Sequence, residues 1–151
     1  LNYSPSRRAT MYIKYRHKLK QESFNGSYDY LAQTNNTTRD NLRFNLSWSL
    51  SHSIILKNRI EYVSYHDLLK QHSDNGYLLY QDVLYRPASL PLTITLRYAL
   101  FSTSSWNSRI YAYENDVLYA FSVPAYYGNG QRVYLIAKIN AGRKVSFWLR
   151  I

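Results

Sequence analysis

Cysteine is missing from all 151 residues. No disulfide framework and no thiolate metal site can therefore be built. Acids are scarce as well: 9 Asp and Glu stand against 19 Lys and Arg, a formal net charge of +10. That balance suits an acidic partner or surface, although charge by itself says nothing about fold. No window approaches the roughly 20 consecutive apolar residues of a membrane helix. This absence excludes helical spans only, because a membrane barrel alternates lipid-facing and water-facing residues and passes a hydropathy scan unnoticed. The opening residues Leu1, Asn2, Tyr3, Ser4 and Pro5 form neither a basic nor an apolar leader region, and no Met precedes them. A fragment of something longer is the expectation.

What is present is period two. Across 41–51 the even positions are Leu42, Phe44, Leu46, Trp48 and Leu50, and the odd positions are polar. A helix cannot use that spacing, whereas a strand sends the two sets to opposite faces. The stretch 9–20 sets Lys14, Arg16, Lys18 and Lys20 at every second position, with Met11, Ile13, Tyr15 and Leu19 between them. Further on, Leu92, Ile94, Leu96, Tyr98 and Leu100 alternate with Thr93, Thr95 and Arg97. Val133, Leu135, Ala137 and Ile139 likewise oppose Arg132, Tyr134 and Lys138. The segment 108–127 divides at Asn115–Asp116 into two short strands, which preserves the up-down parity of everything after it.

The connections sort into short turns near 51–53, 87–91 and 140–142 and longer loops near 21–38, 66–75 and 102–107. Short turns on one rim and longer loops on the other are typical of outer-membrane barrels. The runs at 7–15 and 143–151 match class for class, a recurring turn-plus-strand unit. A soluble sandwich would alternate too, but its outer face would mix both signs of charge. Here the polar faces are basic, and many of the 17 tyrosines fall near strand ends, where aromatic girdles sit. The strands reach about ten residues, the length of a tilted span.

These features predict one all-β domain or segment over 1–151, an antiparallel up-and-down transmembrane β-barrel. About nine strands are expected, and since single-chain bacterial barrels carry an even number, upstream strands are expected to be missing. The lumen-facing basic surface is assigned to Lys14, Arg16, Lys18, Arg43, Lys57, Arg59, Arg97, Arg132 and Lys138. The aromatic girdle is assigned to Tyr62, Tyr65, Tyr77, Tyr85, Tyr98, Tyr126 and Tyr127. Leu42, Phe44, Leu46, Leu92, Ile94, Leu96, Val133 and Leu135 are assigned to lipid.

The runs R-Y-A-L-F at 97–101, S-R-I-Y-A-Y-E-N-D-V-L-Y-A-F-S-V-P-A-Y-Y-G at 108–128 and G-Y-L-L-Y-Q-D-V-L-Y-R-P at 76–87 carry a resemblance, as does the Y-S-P-S-R-R turn at 3–8. They are similar to the C-terminal barrel of a family of large Gram-negative, Bacteroidota-type outer-membrane proteins. Members carry helix-hairpin-helix repeats, similar to those of the competence protein ComEA, ahead of the barrel. The resemblance implies location in the bacterial outer membrane and contact with outer-membrane lipids. It further implies partners among other envelope proteins or the missing part of the same chain. DNA would be reached through a helix-hairpin-helix region that these residues do not include, so no DNA-binding residue transfers. A transport or DNA-uptake-associated role is the specific expectation.

No catalytic residue, cofactor or metal is assigned. His66 and His72 share a loop with Asp67 and Asp74, a conceivable cation site that more commonly only solvates a surface. Gly128-Asn129-Gly130 is a turn and not a phosphate loop, having no following Lys-Ser/Thr. Two rival functions remain. One is a soluble basic β-sheet domain that binds nucleic acid through strands such as 9–20, stacking bases on tyrosine. The other is an outer-membrane lipid hydrolase recruiting Ser64, Ser49 and His17, although no nucleophile signature is present.

Overall fold

The computed structural model describes residues 1–24, 33–142 and 144–151. Strands dominate: β1 (Asn2–Ser6), β2 (Ala9–Phe24), β3 (Gln33–Ser49), β4 (Ile54–Asp67), β5 (His72–Tyr85) and β6 (Leu92–Thr103) follow one another. A 3-10 turn at Trp106–Ser108 precedes two short strands, β7 (Ile110–Tyr111) and β8 (Ala125–Tyr126). The chain ends with β9 (Asn129–Ala141) and β10 (Val145–Arg150). Eight of these form one sheet in the order β1-β2-β3-β4-β5-β6-β9-β10, every neighbour antiparallel. Among the described residues β1 and β10 are open edges.

Turn chemistry fixes the register. The Ser51 hydroxyl accepts the N–H of Ser53 and of Ile54, at 3.2 and 3.1 Å, and turns β3 into β4. The Asp67 carboxylate does the same for the N–H groups of Leu69 and Lys70, at 3.1 and 2.9 Å, before β5. Gly142, at φ 75°, supplies the left-handed residue between β9 and β10, a conformation other residues adopt at a cost.

Four sequence expectations change. The segment 108–127 does not cross alongside the other strands: β6 pairs directly with β9, and β7 and β8 pair only with each other. Parity survives because the whole excursion 104–128 leaves and rejoins the sheet at the same end. The loop expected at 21–38 is largely strand, with β2 running to Phe24 and β3 starting at Gln33. What remains of it, 25–32, lies outside the described residues. The loop at 66–75 shrinks to the turn 68–71, while the one at 102–107 grows into the excursion itself.

The sheet is apolar on the side where water would be expected and charged on the side that is covered. On one face Ile60 is 51% and Val133 59% exposed, and Leu42, Leu79, Leu96 and Leu100 stand open beside them. On the other face Arg97 and Glu61 are each 2% exposed. The reason is the excursion, which lies across the charged face. Its Ile110, Ala112 and Tyr126 bury against Val63, Leu78 and Ala99 of the sheet, with Phe101 edge-on to Tyr126 at 5.2 Å. Burying Ile110, Val63 and Leu78 contributes about 1.5–3 kcal/mol each, and the two alanines less.

Candidate functional site

The register puts all nine assigned cations on one face. Lys14, Arg43 and Glu61 stand side by side on β2, β3 and β4, and Lys57, Asp82 and Arg97 do so on β4, β5 and β6. Arg16, Lys18, Arg59, Arg132 and Lys138 share that parity. The opposite face carries Leu42, Phe44, Leu46, Leu92, Ile94, Leu96, Val133 and Leu135 together.

The excursion is fastened to the charged face by three arginines in succession. Extended backbone points every second carbonyl the same way, and here those of Arg109, Tyr111 and Tyr113 each meet a guanidinium. Arg39 of β3 donates to the first, Arg59 of β4 to the second at 3.1 Å, and Arg97 of β6 to the third at 2.6 Å. The Asn115 N–H then donates to the Tyr134 hydroxyl of β9 at 3.0 Å. The segment thus steps across the sheet in strand order. Its side chains alternate as well: Ile110, Ala112 and Glu114 are buried while Tyr111 and Tyr113 are exposed.

Two acids complete the attachment. The fully buried Glu114 accepts the Tyr126 hydroxyl at 2.8 Å and Arg150 Nη2 at 2.7 Å, and forms an ion pair with Arg132, whose Nε lies 3.0 Å away. Arg150 also pairs with Asp116. Burial first, and then the Glu114 carboxylate, push the Tyr126 phenol well above its ordinary range, so it stays a donor. Elsewhere on the face Arg97 grips Asp82 with both arms of its fork, at 2.5 and 2.7 Å, and lies over the Tyr80 ring at 3.9 Å. Glu61 receives Arg59 Nε at 2.7 Å, Arg43 at 3.1 Å and Asn41. Charge-assisted forks of this kind satisfy buried groups that would otherwise be costly to desolvate.

Two recesses on the charged face flank the segment. One, of about 540 Å³, is lined by both signs of charge, including Lys57, Asp82, Asp116 and Lys138. The other, of about 240 Å³, gathers Lys14, Arg16, Lys18, Arg39 and Arg43 around the single acid Glu61.

The assigned tyrosines separate. Tyr62, Tyr77, Tyr85 and Tyr98 stand on the apolar face, all exposed. Tyr65 has the parity of Glu61 and Val63 and points to the charged side. Tyr126 is buried under the crossing segment, and Tyr127 packs edge-on against Trp106 at 5.2 Å. These three therefore leave the ring, because the excursion and not a spanning strand carries the last two. Tyr15, which the sequence reading left out, stands in one row with Tyr62 and Tyr77 through Leu42. Beyond that row the same face turns polar, with His17, Asp40, Ser64 and Asn75.

Other candidates disperse. His66 projects on the apolar-face side while Asp67 faces the other way, and no group of three or more metal-binding side chains forms among the described residues. Ser49 and His17 lie at opposite ends of the sheet; Ser64 Oγ instead lies 3.0 Å from His66 Nε2. Missed in the sequence were Arg39, Glu114 and Asp116. Arg39 sits just past the expected loop, and both acids sit where two wall strands were expected. Fold and site together define an antiparallel sheet with an uncovered apolar face and a charged face roofed by its own chain. The chain matches no family model, no curated protein and no solved structure.

Proposed function

We propose that this chain is part of the wall of a bacterial outer-membrane β-barrel, non-enzymatic, with a basic water-facing side narrowed by residues 104–128. The observation that carries the reading is the inverted sheet: aliphatic side chains stand uncovered on one face while arginines and carboxylates are buried on the other. Soluble monomers rarely leave a contiguous apolar patch above a few hundred Å². Lipid removes that penalty, and a water-filled lumen favours the charged side. Strand length agrees, since β2 to β6 and β9 run 12–17 residues against the roughly 9–11 that a tilted span needs. The Tyr15–Tyr62–Tyr77 row, with polar residues beyond it, fits a lipid–water boundary. Further strands would close the edges at β1 and β10, and the resemblance of 76–128 to barrels that follow helix-hairpin-helix repeats supports an envelope role in transport or DNA uptake. Nucleic-acid binding by stacking is less well supported, because the exposed tyrosines of the long strands lie opposite the cations.

The absence of native cysteine makes the test clean. In lipid vesicles a Leu96→Cys variant should resist a membrane-impermeant maleimide, and a Lys57→Cys variant should react. Equal rates in vesicles would sink the assigned orientation.

A second reading, a lipid hydrolase, draws on one contact set. Ser64 Oγ lies 3.0 Å from His66 Nε2, and His66 Nδ1 lies 3.2 Å from Ser73 Oγ, the order of nucleophile, base and orienting group. Labelling by a fluorophosphonate that is lost in Ser64→Ala and in His66→Gln would establish it. An unlabelled folded chain removes it.

A further inference from the structure

We propose that the recess on the β2–β3 side of the charged face binds a small, soluble, multiply charged phosphate anion of the pyrophosphate type. The argument starts from register. Lys14 stands directly opposite Arg43, and Lys18 directly opposite Arg39. Like charges so placed destabilise a sheet unless something negative lies between them. Among the described residues that line the recess, Glu61 is the only acid, and it is already held by Arg59, Arg43 and Asn41. Arg39 has a carbonyl to donate to, which leaves its positive charge uncompensated. Lys14, Arg16 and Lys18 are exposed, and no ion-pair partner for any of them occurs among the described residues.

Geometry sets the class of ligand. Alternate residues of a strand lie about 6.6–6.8 Å apart and adjacent strands about 4.8 Å apart. The five cations therefore offer donors from two strands to an anion with several oxygens. A space of about 240 Å³ equals roughly eight waters at about 30 Å³ each, room for two linked phosphates and not for a duplex. Arginine forks and lysine ammonium groups suit phosphate oxygens. A lipid headgroup is the poorer source, because its acyl chains would have to lie along the charged face. The site rests on that face meeting water, the orientation proposed above.

The test uses the chain folded in non-ionic maltoside micelles, titrated with inorganic pyrophosphate by calorimetry. One saturable site is expected, weakening as sodium chloride rises. Arg16→Gln should weaken binding about tenfold, the worth of one charge-assisted hydrogen bond. The Lys14→Gln, Arg16→Gln, Lys18→Gln combination should abolish it. Arg86→Gln, an exposed cation beyond the crossing segment, should leave it unchanged. Far-UV circular dichroism must match in every variant, which the exposure of these three side chains favours. In the same micelles, brominated maltoside should quench Trp48 on the apolar face, an effect lost in Trp48→Phe. Quenching without pyrophosphate binding overturns the site alone. Equal weakening by Arg86→Gln and Arg16→Gln also overturns it, as diffuse attraction to a basic protein. Absence of quenching overturns the orientation, and the site with it.

Discussion

On the β4–β6 side of the charged face, Lys57, Asp82 and Arg97 stand opposite one another in alternating sign. On the β2–β3 side, Lys14 faces Arg43 and Lys18 faces Arg39. The same face, built by the same alternation, thus carries one half in which acids alternate with cations and one half in which, of these four cations, only Arg43 has an acid, Glu61, among the described residues. The crossing segment marks the boundary. Its acids, Glu114 and Asp116, reach only the β9–β10 end, and toward β3 it presents nothing more negative than the Arg109 carbonyl. Buried ion pairs chiefly carry a penalty for being broken. The compensated half is accordingly the structural anchor, and the uncompensated half is open to a ligand.

Removing the anchor should have the largest effect. Glu114→Ala leaves Arg132, Arg150 and the Tyr126 hydroxyl without their shared acceptor. A loss of about 3–5 kcal/mol in urea unfolding is expected, with faster proteolysis between 104 and 128. A loss below about 1 kcal/mol would mean that the three backbone carbonyls, and not the acid, hold the segment.

The next comparison sets one face against the other. Ile94→Arg, on the apolar side near mid-strand, should destabilise the lipid-embedded chain by about 2–4 kcal/mol. Its neighbour Thr95→Arg faces the larger recess, lined by Asp82 and Asp116, and should be tolerated. Similar costs for both substitutions would show that lipid does not meet the apolar face.

The sequence carried the two faces well, for a physical reason. Period two survives wherever the two faces of a strand meet different surroundings, as at 41–51 and 92–100, so each side chain reports its own side of the sheet. It fails where both surroundings are alike. Across 108–113 the alternation of Ile110 and Ala112 with Tyr111 and Tyr113 is real, but apolar residues on both sides cannot say whether the partner is lipid or the protein's own charged face. Glu114 then fell at the end of an expected wall strand, beside the division at Asn115–Asp116, although it is a buried acid that holds Tyr126 and Arg150. The first residues of β3 hid for the converse reason. Asn35, Asn36, Thr37 and Thr38 are polar on both faces, so a strand that extends past the tyrosine row reads as a loop. That error also concealed Arg39, the cation that ties β3 to the segment.

Close approach is the weaker part of the anchor. At Gly76 an added Cβ would lie 2.5 Å from the Ser108 carbonyl oxygen and 2.9 Å from Thr103 Cγ2. Gly76→Ala should therefore lift the start of the crossing segment, costing about 1–3 kcal/mol in unfolding. Proteolysis near 104–109 should rise while the β2–β3 half stays unchanged. Unaltered cleavage would place the slack in the sheet and not in the segment.

The smallest effect has the most telling sign. Arg16 stands between Lys14 and Lys18, one alternate position from each, so the three cations repel across about 7 Å. Replacing it with Gln should raise the unfolding midpoint slightly, by a few tenths of a kcal/mol, at an ionic strength of about 0.01 M, where the Debye length is about 30 Å. The gain should vanish at about 1 M, where charges are screened within about 3 Å. Arg97→Gln is the counterpart in the compensated half. It strands the buried Asp82 and should lower the midpoint at either salt concentration, because a buried pair is screened far less. Added pyrophosphate should remove the gain from Arg16→Gln by stabilising the parent chain, and leave the Arg97→Gln loss in place. If Arg16→Gln lowered the midpoint at low salt, a partner within the chain would already neutralise the row, and the difference between the two halves would be gone.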